Sequence, residues 1–481
     1  MSITNEVETI PSQSDLTQGD DHRSSIRSLS DRDERTLCVR DSLRESNGSS
    51  SITLCGDELP SSPTECDGHR PSTIIVTDMA DDMICHHFDY ADPSTPYEIR
   101  HCRGTIHDQD DVIICRSFGF TPEFPLSDET NIDKYVIPFL QNKEVFAIHS
   151  YEGTLLRVFY YKSKWYISTH KKIDAYNSKW GCDKSFGELF EQAFKHRYGI
   201  NPSHNLQEAL SSYLDTEHVY IFLLQNYIDN RIVCIAPLTP DVILLGHVEN
   251  HDGHEFVLEN KNRVLQIHTK EELINEVEKV DYQKLQGVIL INPKTLECIK
   301  VIHNDYWDYY MLRNNQPSII YRFIELIQLQ NPTQRFDSFN QRVINKKVND
   351  TCVDVPEVQM YMELYAERKH ELLKTLHVLD DITSNIYRKY RNRFVRKQVT
   401  FVPQEQYYVL KELHELFLKS EKREIVTQDR VLQYLYSLPA TRIFYLYSKY
   451  VERELETGHG NKVSQSDKEK INTFIYKNEL I

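Results

Sequence analysis

Polar and apolar positions along the chain change character twice. Residues 1–82 are dominated by Ser, Thr, Asp, Glu and Arg, as in "SQSDLTQGDDHRSSIRSLSDRDER". So little apolar surface cannot offset chain entropy, and a disordered tail is expected there. Ser28 and Ser30 are its candidate phosphorylation sites. Residues 83–345 carry short β-type runs bounded by turn residues: "DVIICRSF", "VFAIHS", "TLLRVFYY", "WYISTH", "HVYIFLLQ", "RIVCIAP", "DVILLGHV", "GVILINP" and "ECIKVIH". Residues 346–481 switch to helical period, with abundant Glu, Lys and Leu.

Two helices interrupt the β-type region. Phe186, Leu189, Phe190, Ala193 and Phe194 recur at spacings of three and four, with Ser185 as N-cap and Gly199 just past the end. "KEELINEVEKV" has the same period behind a capping Thr269. Many strands with few helices predict an α+β domain built on antiparallel sheets, followed by an all-helical C-terminal domain.

Composition narrows the class. The 481 residues have room for two or three domains, and their 40% apolar content is enough for real cores. A net charge of −16 argues against indiscriminate binding to nucleic acid, although a local basic patch can still steer a ligand. The ten cysteines are scattered with no C-x-x-C pair, so reduced thiols in a cytosol-like compartment are expected. The start "MSITNEVETIPSQSDLTQ" lacks the apolar core of a signal peptide. No apolar run approaches 18 residues, so no membrane contact is expected.

The candidate chemistry lies in the order of several short signals. Arg103-Gly104 precedes a strand; "SYEGTLLRVF" holds Glu152, Gly153 and Thr154; "NRIV" holds Arg231; "LQGVIL" holds Gln286; and "ECIKVIHNDYWDYY" holds Lys300 with tyrosines behind it. That series resembles the covalent nucleotidyltransferase domain of RNA ligases (an ATP-grasp-like fold), most closely the bacteriophage T4 RNA ligase 1 type, over residues 95–320. The resemblance implies a lysine amine that attacks the α-phosphate of ATP, with magnesium and basic residues offsetting charge on the phosphate. The AMP would pass to an RNA 5′-phosphate, and a 3′-hydroxyl would displace it. Carried over residue by residue, Arg103, Glu152, Gly153, Thr154, Lys171, Arg231, Gln286 and Lys300 become the nucleotide-binding set.

This chain departs from that pattern where the reaction begins. Ser150 stands at the nucleophile position, and His149 beside it points to the opposite strand face. Gln286 replaces a glutamate, Leu224 and Gln225 stand where another acid is usual, Ile302 replaces a lysine, and His170 sits where a lysine is expected. One removed catalytic group typically costs about 2.7–4 kcal/mol, and the nucleophile has no substitute. The expectation is an inactive adenylation centre in a protein that binds nucleotide or RNA. One alternative is an active ATP- and magnesium-dependent ligase using Lys162, Lys164, Lys171 or Lys172 as a displaced nucleophile. A scaffold or virion protein that keeps the fold only for packing is the other. Lysine-deficient members of this kind resemble proteins of large DNA viruses of protists; the expected location is soluble intracellular, cytoplasmic, or the virus factory or virion if the chain is viral.

Elsewhere, Cys85, His86 and His87, and the group His247, His251 and His254, have metal-ligand chemistry, but no metal site is expected. Adjacent strand residues face opposite ways, and Asp252-Gly253 reads as a hairpin turn. "NIYRKYRNRFVRKQ" is the densest basic run, with Arg388, Lys389, Arg391 and Arg393 interleaved with Tyr387, Tyr390 and Phe394. Phosphates on the cations and bases on the rings would suit RNA. The four-residue spacing of Ile386, Tyr390 and Phe394 also suits an amphipathic helix with its apolar face in the core.

Overall fold

The computed structural model describes residues 72–225, 230–249, 255–328, 356–420 and 425–457. Ser28, Ser30, the turn with His251 and His254, and the 345/346 boundary lie outside the described residues. Contacts divide the chain at Ser51/Ile52, and every described residue belongs to the second unit.

Alternating apolar positions build three sheets. Strands β1 (Ile74–Ala80), β2 (Met83–Phe88), β3 (Thr105–Asp108) and β4 (Ile113–Cys115) form an antiparallel meander in that order. The first strand begins inside the span 1–82 expected to be a disordered tail. Strands β5 (Glu123–Pro125), β6 (Phe146–Ser150), β12 (Gly287–Ile291) and β13 (Cys298–Ile302) form a second sheet, ordered β5-β13-β12-β6. In it only β13 and β5 run parallel. Strands β7 (Thr154–Tyr161), β8 (Lys164–Ser168), β9 (His218–Gln225), β10 (Asp241–Glu249) and β11 (Phe256–Leu258) form an antiparallel third sheet, ordered β11-β10-β9-β7-β8. Lys162 and Ser163 join β7 to β8 with φ of 46° and 66°, the left-handed pair that a two-residue hairpin turn requires.

The expected strand "RIVCIAP" is absent. Residues 231–237 form an irregular loop, because the backbone N–H groups of Ile232, Val233 and Cys234 donate to the Glu152 carboxylate rather than to a neighbouring strand.

Helices cover the outer faces. Helix α1 (Phe186–Arg197) starts at a reciprocal Ser185/Glu188 cap and lays Phe190 and Phe194 on Phe222 of β9. Each such buried ring contributes about 1.5–3 kcal/mol. Helix α2 (Leu206–Tyr213) flanks the edge strand β8, where Gln207 bonds both backbone groups of Trp165. Helix α3 (Lys270–Glu278), capped by Thr269, packs Leu273 and Val277 on the second sheet. The other faces of the second and third sheets meet across a core with Ile148, Phe159, Ile221 and Ile291, which the meander also joins.

Seven further helices follow: α4 (Asn304–Arg313), α5 (Ile319–Gln328), α6 (Pro356–Leu364), α7 (Lys369–Tyr390), α8 (Gln404–Lys419), α9 (Gln428–Ser437) and α10 (Ala440–Thr457). Helix α5 serves two cores. Phe323 and Ile327 join the core under the third sheet with Tyr361, while Ile324 joins Leu379 and Ile382 in the helical core. Among the described residues no helix is long and apolar enough to cross a membrane.

Candidate functional site

Ser150 ends β6 in the second sheet and Thr154 begins β7 in the third, so Tyr151, Glu152 and Gly153 are the crossover between two packed sheets. Gly153 is required by close approach, since a Cβ there would lie 2.6 Å from the Leu224 carbonyl oxygen. Thr154 pairs with Leu224 of β9, and its Oγ1 is buried without a hydrogen-bond partner.

The crossover is tied down by one buried chain of hydrogen bonds. Ser150 Oγ donates to Gln286 Oε1 at 2.8 Å, and Gln286 Nε2 donates to the Tyr306 hydroxyl at 2.9 Å. Tyr306 donates to Glu152 Oε2 at 3.1 Å. The same carboxylate accepts the N–H groups of Ile232, Val233 and Cys234 at 2.8–2.9 Å. Burial and the Glu152 charge push the Tyr306 phenol well up, so it stays a donor.

Register brings Lys300 into this group: it pairs with Glu123 in the parallel ladder and with Ile289 across β12. Its ammonium lies 2.6 Å from Glu123 Oε1 and 3.2 Å from Gln286 Oε1. A cavity of about 70 Å³ sits between the two sheets beside Ser150. Arg103, Glu123 and Lys300 are its charged lining, and Phe118, Ile148, Leu155, Leu223, Leu245, Ile289 and Ile291 close most of it. Ligand pockets for drug-sized molecules run to about 300–1,000 Å³, so this one has room for a few waters.

The expected nucleotide-binding set is only partly brought together. Of that set, Arg103 and Lys300 line the cavity beside Ser150; Glu152, Gly153, Thr154, Lys171, Arg231 and Gln286 do not, although Gln286 bonds both Ser150 and Lys300. Arg231 turns away to α6, where its guanidinium bonds Glu367 Oε1 at 2.9 Å and the Leu364 carbonyl at 2.6 Å, and stacks on Tyr365. Lys162, Lys164 and Lys172, three of the candidate displaced nucleophiles, pair with Asp82, Asp81 and Asp78. His149 faces away from Ser150, as expected, and meets Glu276 at 3.1 Å.

Among the described residues no group of three His, Cys, Asp or Glu side chains is placed to hold a metal ion. Cys85 donates to the His170 carbonyl, His86 meets His107 at 2.9 Å between Nδ1 atoms, and His247 stacks on His218. His87 Nδ1 is 2.7 Å from the Phe88 carbonyl, while its Nε2 is buried with no partner. Burial, with the nearby charges of Arg103, Lys171 and Arg157, pushes the imidazole down to about 3.

Two participants carried little or no sequence signal. Glu123 comes from an unremarkable "TPEF". Arg157 looks like an ordinary mid-strand charge, yet it is fully buried and donates to the carbonyls of Gly104 and Thr169. Tyr306, by contrast, is the first of the tyrosines noted behind Lys300.

The basic run closes α7 and continues into the following wide turn. Ile386 and Tyr390 are buried in the helical core, whereas Arg388, Arg391, Arg393, Arg396 and Lys397 are exposed. Lys389 bonds Gln406 Oε1 at 2.7 Å, and burial with Arg453 beside it pushes its amine down to about 8.

No family model matches the chain. It is 27% identical over 358 residues to the immediate-early protein ICP-46 homolog of Invertebrate iridescent virus 6, covering 70% of this chain and 72% of that one. The homolog in Invertebrate iridescent virus 3 is 28% identical over 319 residues, covering 63% and 68%. These relatives are proteins of large DNA viruses, named for invertebrate hosts and not for protists. Among solved structures, an archaeal ATP-dependent RNA ligase is 12% identical with a TM-score of 0.32, covering 72% of this chain and 84% of its own. A putative ATP-dependent DNA ligase from Aquifex aeolicus is 13% identical with the same TM-score, covering 72% and 85%. At such scores the likeness carries no inference about what this chain does.

Proposed function

We propose that the chain is a degenerate RNA ligase-like protein of a large DNA virus, one that binds RNA but does not form a lysyl-AMP intermediate. The observation that carries this reading is Ser150. It holds the nucleophile position of the resemblance, it is 3% exposed, and its hydroxyl is bound to Gln286. Among the described residues no base touches it, and a serine hydroxyl without one is a poor nucleophile at neutral pH.

ATP and magnesium do not fit the cleft. Its 70 Å³ are mostly walled by apolar side chains, the Glu123 carboxylate pairs with Lys300, and the Glu152 carboxylate accepts three backbone amides and a phenol. Lys300, the lysine that reaches the cavity, points its ammonium at Glu123. The finer likeness to the phage T4 RNA ligase 1 type rests on the order of the short motifs from Arg103 to Lys300.

A scaffold role is the second reading, and the apolar lining of the cleft favours it. Incubation with α-labelled ATP and magnesium, beside an active ligase, tests the first: no adduct should survive a denaturing gel. A covalent AMP on any lysine would overturn it. RNA binding by the full chain then separates the RNA-binding reading from the scaffold, which predicts none.

A further inference from the structure

The charges of this protein are not evenly paired. Between Ile382 and Gln404 the chain holds no Asp or Glu but six cations: Arg388, Lys389, Arg391, Arg393, Arg396 and Lys397. Some lysines elsewhere find carboxylates, as Lys270 does at Asp133 and Lys294 at Glu144. None of these six forms an ion pair among the described residues. A chain of net charge −16 that leaves five exposed cations together without an ion pair keeps strong local complementarity for an anion.

Aromatic rings stand among these charges. The first turns of α8 pack against the end of α7 through the Lys389–Gln406 bond and bring up two tyrosines. The Arg393 guanidinium lies 5.4 Å from the Tyr407 ring and 6.0 Å from Phe394, and Arg391 lies 5.8 Å from Tyr387. Tyr408 follows at 6.1 Å from Tyr407 and is 52% exposed, while Phe401 is 84% exposed. A duplex buries the faces of its bases, so exposed rings beside cations suit unpaired bases stacked on the rings with phosphates on the guanidinium groups. An interfacial membrane helix would need a free apolar face, but that of α7 is already buried through Leu379, Ile382, Ile386 and Tyr390.

We infer that the end of α7, the 396–403 segment and the start of α8 form a docking surface for single-stranded RNA, separate from the cleft at Ser150. This rests on the reading of the chain as an RNA-binding protein and names the place and the form of RNA bound. Affinity should fall with salt, and each lost phosphate contact should reduce the log–log slope by about 0.7.

The test is fluorescence anisotropy of the full chain with a labelled 20-nucleotide single strand and with the matching duplex, at 50–200 mM salt. The single strand should bind the tighter. The pair Arg391→Gln with Arg393→Gln should weaken binding and lower the salt slope by about 1.4. The pair Tyr407→Ala with Tyr408→Ala should weaken single-strand binding about fivefold or more while leaving the duplex unchanged. Thermal melting of each variant guards against unfolding. RNA binding untouched by both pairs would overturn this surface but leave the RNA-binding reading standing; no RNA binding at all would sink both. Equal binding of duplex and strand, or tighter binding to phosphatidylserine vesicles lost in the arginine pair, would also overturn it.

Discussion

Ser150 and Gln286, 136 residues apart in sequence, form one buried hydrogen bond of 2.8 Å between neighbouring strand ends of the second sheet. Both stand where the ligase resemblance expects a charged residue, a lysine and a glutamate. The two departures therefore touch, and a neutral pair replaces a charged one. Removing the hydroxyl with Ser150→Ala leaves Gln286 Oε1 with Lys300 as a donor, so the loss should be about 1 kcal/mol. Ser150→Lys should cost more, because it adds an ammonium to a buried cavity already lined by Lys300 and Arg103. Urea unfolding ranks the two, and labelled ATP should give no adduct with either. An adduct on the new lysine would mean that the cleft still accommodates a nucleotide.

The Glu152 carboxylate organises the loop that takes the place of a strand. Glu152→Ala would leave the buried amides of Ile232, Val233 and Cys234 without their acceptor, at about 1–3 kcal/mol for each group. A loss of about 3 kcal/mol or more is expected, with Glu152→Gln intermediate because it keeps one acceptor oxygen. Denaturant midpoints check the order. An alanine variant as stable as the parent would show that the loop holds its shape without Glu152.

What was legible in the sequence is what local chemistry decides. Ser185 and Thr269 were recognisable as caps because their partners, Glu188 and Glu272, lie three residues on. The hairpin at Lys162 was readable from two flanking β-type runs. "RIVCIAP" misled because β-branched residues suggest a strand, while the group that decides its path, Glu152, lies 80 residues earlier than Ile232. The site was half legible: each departure at Ser150 and Gln286 could be seen alone, but not their contact. Arg231 carried the expected residue type and turned the other way, because Glu367 and Leu364 of the C-terminal region compete for it.

That competition is testable. Arg231 is buried and joins the loop at 231–237 to α6. In a double-mutant cycle of Arg231→Met and Glu367→Gln, the coupling should be about 0.5–3 kcal/mol in unfolding free energy. No coupling, together with a changed response to added nucleotide, would return Arg231 to a phosphate-binding role.

Acid should destabilise the fold through His87. Its imidazole is 3% exposed, its Nε2 has no partner, and its pKa falls from the ordinary 6.5 to about 3. Between those values the unfolded chain binds a proton that the folded chain refuses. Stability is therefore full above pH 6.5 and declines as pH falls toward 3, by at most about 1.4 kcal/mol per pH unit from this residue. The nearby charges of Arg103, Lys171 and Arg157 act in the same direction, each disfavouring a positive charge on the ring. His87→Gln cannot titrate, so its urea midpoint should fall less steeply between pH 7 and pH 5 than that of the parent chain. Parallel slopes for the two would mean that the ring is hydrated in solution and accepts the proton there.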